Sequence, residues 1–221
     1  FFSGAIDGKK YSKEEIADFE TRIHKLIHSS VEYVCELKYD GVAISLYYKK
    51  GIFTRAVTRG DGEKGDDITT NVKTIRSIPF KLKGDFPDDF EIRGEIFMPH
   101  SSFEKLNKEK LDAGEQLFAN PRNTTSGTLK MHDSSVVAKR KLDSFLYSIA
   151  GENLPCENHY DNLMKAADWG FKIPSPEKKY ISKCSTIDEI MDFIEYWDIK
   201  RHDLPFDIDG IVIKVNSFAQ Q

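Results

Sequence analysis

The stretch CELKYDGVAISLYY, Cys35 to Tyr48, sets the reading of the whole chain. It belongs to a run of β-branched and aromatic residues that starts at Val31, places Lys38 at a strand's end and turns at Gly41 into further strand-forming sequence. Lys49, Lys50 and Gly51 read as the turn between AISLYY and IFTRAV, so 31–57 predicts a β-hairpin. Lys38 carries the chemical interest. A lysine ordinarily titrates near roughly 10.4, so almost none is free amine at neutral pH, and a reactive one needs a shift of roughly three units, about 4 kcal/mol. Arg59, Arg122 and Lys214 are the candidate cations for such a shift; Glu36 and Asp40 flank the lysine as carboxylates that oppose it unless engaged elsewhere.

Outward from this stretch, helices and strands are mixed. Ser12 and Glu15 stand at capping-box spacing, and Ile16, Phe19, Ile23, Leu26 and Ile27 then recur at helical spacing, predicting a helix over 12–28. EIRGEIFM (91–98) predicts a strand, followed by a helix from Ser101 with Glu104 completing a second capping box. The segment 116–135 is dense in Asn, Ser, Thr, Gly and Pro and reads as ordered loop rather than regular structure. Two further helices are expected, from Asn158 to Trp169 closed by Gly170 and from Thr186 to about Lys200, before a last strand DGIVIKV (209–215). No regular βαβ rhythm runs through this order, so the class is α+β, with a helical lead-in over 1–30 and one domain over 31–221.

Composition narrows the possibilities. The chain has 221 residues, 39% hydrophobic and 12% aromatic, enough for a sizeable core. Its net charge of −4 shows no basic excess of the kind many nucleic-acid-binding domains carry, although AKRK (138–141) is a local cluster. No apolar run approaches the roughly 18 residues of a membrane span, and FFSGAIDGKK lacks the features of a signal peptide; the expectation is a cytoplasmic monomer with no membrane partner. Cys35, Cys156 and Cys184 are too widely separated for a zinc spacing and read as reduced thiols. His24 and His28 are four apart on the first helix but read as its polar flank, and Gly60, Gly62 and Gly65 as a turn that positions Arg59. Lys214 interrupts an apolar strand, where a lysine is costly unless it faces a polar site.

Lys38 in K-x-D-G, within the longer CELKYDGVAISLYY, resembles the nucleophile motif of the adenylation domain of bacterial NAD-dependent DNA ligases. Five further strings follow in that family's order: TRGDGEKGDDITTNVKTIRSIP (58–79), EIRGEIFMP (91–99), FANPRNTTSGTL (118–129), AKRKLDSFLY (138–147) and FDIDGIVIKVN (206–216). The resemblance implies a nucleotidyltransferase fold, ATP-grasp-like, with antiparallel sheets and flanking helices. It also implies that Lys38 attacks the adenylyl phosphorus of NAD to form lysyl-AMP and release NMN, before AMP passes to the 5′-phosphate of nicked double-stranded DNA.

By the same resemblance, Lys38, Asp40 and Lys214 are the catalytic set. Glu36 and Tyr147 hold adenine, by polar contact and by stacking; Arg59 and Arg122 hold ribose or phosphate; Asp209 and Lys214 contact the adenylate; Glu95 contacts ribose or assists a metal. Magnesium is the implied metal, with zinc confined to a domain outside this sequence. None of the strings matches the family's NMN-binding region, its last adenylation motif or its OB-fold, zinc-finger and later domains, so a fragment is expected. An ATP-dependent ligase or capping-type enzyme usually carries an arginine soon after K-x-D-G, where this chain has Val42, Ala43 and Ile44. A non-catalytic adenine-nucleotide-binding fragment is the other alternative; intact Lys38, Glu95 and Lys214 speak against it.

Overall fold

A computed structural model describes residues 3–7, 12–26, 30–60 and 65–221. Strand β1 (Ser3–Asp7) and helix α1 (Lys13–Leu26) lead into β2 (Tyr33–Tyr39), β3 (Val42–Lys49) and β4 (Ile52–Thr58). The short α2 (Thr69–Val72), β5 (Asp89–Phe97), α3 (His100–Asp112), α4 (Pro121–Leu129) and α5 (Ser134–Lys139) follow. The chain continues through β6 (Asp143–Ala150), α6 (His159–Asp168), β7 (Ile181–Cys184), α7 (Ile187–Lys200) and β8 (Ile208–Val215). Two four-stranded sheets result, in the orders β1-β8-β2-β7 and β4-β3-β5-β6, with every pairing antiparallel. The α+β class with antiparallel sheets is therefore what the chain adopts.

The first helix begins as its sequence dictates: Ser12 N–H donates to Glu15 Oε2 at 2.9 Å, and Glu15 N–H to Ser12 Oγ at 3.3 Å. Ile27 and His28 lie outside the described residues, as does Gly62 of the glycine-rich turn. The hairpin expected between AISLYY and IFTRAV forms, as β3 and β4 around Lys50 and Gly51, and the strand that ends near Lys38, β2, goes to the other sheet, with β7 and β8. The capping box expected at Ser101 is not used, because α3 starts at His100 behind Pro99, with no side-chain cap.

The stretch 116–135 departs from its reading as loop: most of it is helical, in α4 and the start of α5. Its polar residues satisfy helix backbone instead of competing with it. Asn120 caps α4 by accepting from Asn123 N–H at 2.8 Å, with Pro121 at the first helical position. The hydroxyls of Thr124, Thr125 and Thr128 bond back to carbonyls four residues earlier. Asn71, buried on α2, donates to the carbonyl of Leu129, the last residue of α4, and to that of Met131 just beyond it.

Both cores follow from strand alternation. Ile44, Leu46, Ile92, Ile96 and Leu146 of the second sheet pack with Trp169 and Phe171. Tyr33, Cys35, Leu37 and Tyr39 of β2 turn to the other core, which α1 and α7 cover with Ile16, Ile23, Ile190, Phe193 and Trp197. Tyr39 stacks on Phe145 of β6 at 4.5 Å between ring centroids and lies 6.2 Å from Phe97 of β5, so this aromatic cluster joins the two sheets.

The crossing between sheets occurs at Asp40 and Gly41. A Cβ built on Gly41 would stand 2.2 Å from the carbonyl oxygen of Ile96, so only glycine permits β3 to lie this close to β5 at that point. Gly41→Ala is expected to destabilise the protein by about 1–3 kcal/mol. Gly127→Ala, on the exposed side of α4 where an added Cβ meets nothing within 4 Å, should be neutral or stabilising. Urea unfolding of the two variants checks this; equal midpoints would contradict the packing at Gly41.

Candidate active site

The other face of β2 changes character along its length. Val34 packs against Leu163 and Ile181, but Glu36 and Lys38, two and four residues on, line a cleft of about 610 Å³. Across the pairing with β8, Val34 is opposite Lys214 and Glu36 opposite Val212, so Lys214 and Glu36 are diagonal neighbours on the same face. The register shifts between Lys38 and Tyr39, whose partners are Gly210 and Ile208. Asp209 is the extra residue of that bulge, and its Oδ2 lies 3.5 Å from Lys38 Nζ.

At the inner end, Glu36 is buried at 2% exposure. Its Oε2 lies 2.5 Å from Lys214 Nζ and its Oε1 3.3 Å from His159 Nε2. Burial pushes the carboxyl upward, but the charge of Lys214 and the contacts with Lys214 and His159 outweigh it and hold Glu36 at about 2. His159 is itself held below its ordinary value by burial and by Lys214, which outweigh the opposing pull of Glu36. Beside an ionised carboxylate, a hydrogen on Nε2 satisfies the contact whatever the state of the other ring nitrogen. Lys214 Nζ also donates to the Tyr147 carbonyl at 3.3 Å and sits 5.2 Å from the centre of the Tyr147 ring.

The second sheet supplies the opposite wall. Tyr147 O–H donates to Glu95 Oε2 at 3.1 Å. Burial pushes Glu95 up to about 7, with the charges of Asp209 and Asp40 adding to the effect and Tyr147 and Arg122 opposing it. Arg59 and Arg122 line the same cleft. Asp40 is not among the lining residues; it stands at the rim, where its Oδ1 accepts from Arg122 Nη1 at 3.3 Å.

Eight of the nine residues singled out from the sequence thus line one cleft, and the ninth holds one of the eight. Among the lining residues not singled out from the sequence are Arg93 and His159. Arg93 is clasped by Glu91 through Nε–Oε1 at 2.7 Å and Nη2–Oε2 at 3.2 Å. His159 opens α6 behind the cap of Asn158, a position that in sequence looks like any solvent-facing first turn. Chemically the cleft offers a carboxylate acceptor, an aromatic face, two lysine amines and guanidinium groups. It suits a base joined to a phosphate. Among the described residues, no three His, Cys, Asp or Glu side chains are grouped to hold a metal ion.

The family model described as NAD-dependent DNA ligase adenylation domain matches residues 6–221. The DNA ligase of Bacteroides fragilis is 58% identical over 212 residues, 96% of this chain and 31% of that protein. That of Parabacteroides distasonis is 55% identical over 215 residues, 97% of this chain and 32% of that protein. The DNA ligase of Christiangramia forsetii is 53% identical over 211 residues, 96% and 31%. The chain thus spans about a third of the length of these relatives. An ATP-dependent DNA ligase from bacteriophage T7, in complex with ATP, superposes over 86% of this chain and 62% of its own at 14% identity and a TM-score of 0.39, too loose a likeness to bear on fold or function.

The buried carboxylate gives a pH signature. Glu36 is depressed from 4.5 to about 2, so its contribution to stability is complete above pH 4.5 and is lost as the pH falls toward 2. Equilibrium unfolding of the wild type and Glu36→Gln across that window should show the steeper loss in the wild type. Parallel curves would place the acid-sensitive carboxylates elsewhere.

Proposed function

This chain belongs to the family of NAD-dependent DNA ligase adenylation domains, and on that premise we propose that its cleft performs the first chemical step of ligation with Lys38 as nucleophile. The observation that carries the proposal is convergence: residues drawn from six separated strings of sequence meet in one cleft with the Lys38 amine among them. In the step, the Lys38 amine, having lost its proton, attacks the adenylyl phosphorus of NAD. A nitrogen–phosphorus bond forms, the pyrophosphate phosphorus–oxygen bond breaks, and NMN leaves with the electron pair. Transfer of the AMP to the 5′-phosphate of nicked double-stranded DNA, and sealing of the nick, complete the proposed activity of the whole protein.

Each wall has a task in this scheme. Tyr147 stacks on adenine while Glu36 accepts from its exocyclic amine. Lys214, charged and held beside Glu36, supplies positive charge to the adenylate; Arg59 and Arg122 hold ribose and phosphate. Asp209 orients the Lys38 amine, and Asp40 keeps Arg122 at the rim. Phosphoryl-type transfer rests mainly on such positioning and charge stabilisation. Magnesium would be held by phosphate oxygens and water with at most one or two protein carboxylates, for which Glu95 and Asp209 are the residues at hand and for which no three-ligand cage is needed. Bound there, it would neutralise negative charge on the phosphate. Among the described residues no helix is long and apolar enough to cross a membrane, and the proposed setting is the cytoplasm, beside DNA.

Lys38→Ala in the full-length protein is expected to abolish the covalent AMP adduct formed with NAD, read by intact mass. An acid-labile, base-stable AMP adduct persisting in that variant would remove Lys38 from the role. Lys214→Met should lower single-turnover adenylation at least tenfold. Because it strips Glu36 of its main counter-charge, it should also lower the melting temperature, and adding Glu36→Gln should recover stability without recovering the rate. Unchanged adenylation by Lys214→Met would show that this lysine serves only the fold.

A further inference from the structure

Glu36 needs its carboxylate plane fixed if it is to read a base, and Lys214 alone does not fix it. One ammonium on one oxygen leaves the carboxylate free to turn, and Lys214 Nζ is shared with the Tyr147 carbonyl. The second constraint comes from a residue 123 positions away in sequence, which touches the other oxygen. We propose that His159 is a positioning residue for base recognition: it donates from Nε2 to Glu36 Oε1, so that the carboxylate, held at Oε2 by Lys214, faces the exocyclic amine of adenine in one orientation. This rests on the adenine-binding reading above and extends it to a group that does not itself react.

The placement of the ring is heavily determined. His159 is 4% exposed and sits at the first position of α6, behind the Asn158 cap. Its backbone N–H donates to the carbonyl of Asn216 at 2.9 Å, and Tyr160 N–H donates to Asn216 Oδ1 at 2.9 Å. Asn216 in turn donates from its backbone N–H to the Glu32 carbonyl at 2.8 Å and from Nδ2 to Glu32 Oε1 at 2.6 Å. The start of β2, the end of β8 and the first turn of α6 are thereby tied at one point, and the imidazole is aimed at Glu36. A carboxylate oxygen has more than one acceptor position, so Oε1 and Oε2 can bond His159 and Lys214 and still accept from a ligand amine. Adenine presents a donor there; hypoxanthine presents a carbonyl oxygen, which a fixed carboxylate repels. Sites built to pair with a donor discriminate strongly against an analogue that lacks it.

The test uses the full-length protein and two substitutions: His159→Leu, which removes the donor, and His159→Gln, whose amide nitrogen reaches about where Nε2 lies. Calorimetry with AMP and with IMP, and initial rates of lysyl-AMP formation against NAD concentration, are the readouts. His159→Leu should weaken AMP binding by about tenfold and leave IMP binding within about twofold, so that the preference for adenine shrinks. KM for NAD should rise while kcat stays within about twofold. His159→Gln should restore most of the AMP preference. Equal loss of AMP and IMP in both variants, or an undiminished preference in His159→Leu, would overturn the proposal. Should His159→Leu not fold, nitrogen-15 shifts of the wild-type imidazole decide: a neutral Nε2–H tautomer that responds to AMP and not to IMP supports the role, and an Nδ1–H tautomer refutes it. A wild type that shows His159-dependent AMP preference but forms no adduct with NAD would leave this inference standing while removing the proposed function.

Discussion

The site depends on one close approach of backbone to backbone, at Gly41 against the Ile96 carbonyl. There the chain leaves one sheet and enters the other within two residues, and no side chain fits between the two strands. Because β2 ends and β3 begins at this point, Lys38 stands at the end of the first sheet while Ala43 and Glu95, paired across β3 and β5, stand at the adjoining wall of the second. The aromatic cluster around Tyr39, Phe97, Phe145 and Phe206 binds the sheets behind the crossing. Rigid elements, rather than long loops, therefore set the distance between the amine and the opposite wall, as sub-ångström positioning of a reaction requires.

Glu36 shows the tension between fold and function. A buried carboxylate costs several kcal/mol of hydration unless opposite charge and hydrogen bonds offset it, and an apolar side chain at that position would serve the core at lower cost. The chain instead surrounds it with Lys214 and His159, each brought from a distant part of the sequence. Tyr147 and Glu95 repeat the pattern on the other wall: a buried carboxyl pushed up to about 7 and a phenol that donates to it. Two carboxyl groups in one cleft are thus driven in opposite directions by their surroundings, a separation typical of functional sites.

Much of this was legible in the sequence where a residue broke the rule of its element. Lys214 in an apolar strand violates local expectation, whereas Lys38, an ordinary residue for a strand's end, was marked by its K-x-D-G motif; both lie in the cleft. His159 breaks no rule, since a histidine in the first turn of a capped helix is ordinary; only the tertiary contact with Glu36 gives it meaning. Arg93 likewise alternates normally along β5. The helices of 116–135 were hidden because threonine hydroxyls that favour turns in isolation are here buried and bonded to their own helix backbone. Strand β6 was obscured by the bulge opposite Arg93 and Gly94, which breaks the period of two, and β7 by its four-residue length.

On the proposed function, one cleft shared between two sheets holds the adenine of the adenylate beside Glu36 and presents its phosphorus to Lys38. A crystal structure of the full-length protein after reaction with NAD tests it most directly. AMP should be joined through phosphorus to Lys38 Nζ, with the base stacked on Tyr147 and its exocyclic amine within hydrogen-bonding distance of Glu36. AMP attached to another lysine, or a base lying away from Glu36 and Tyr147, would contradict it.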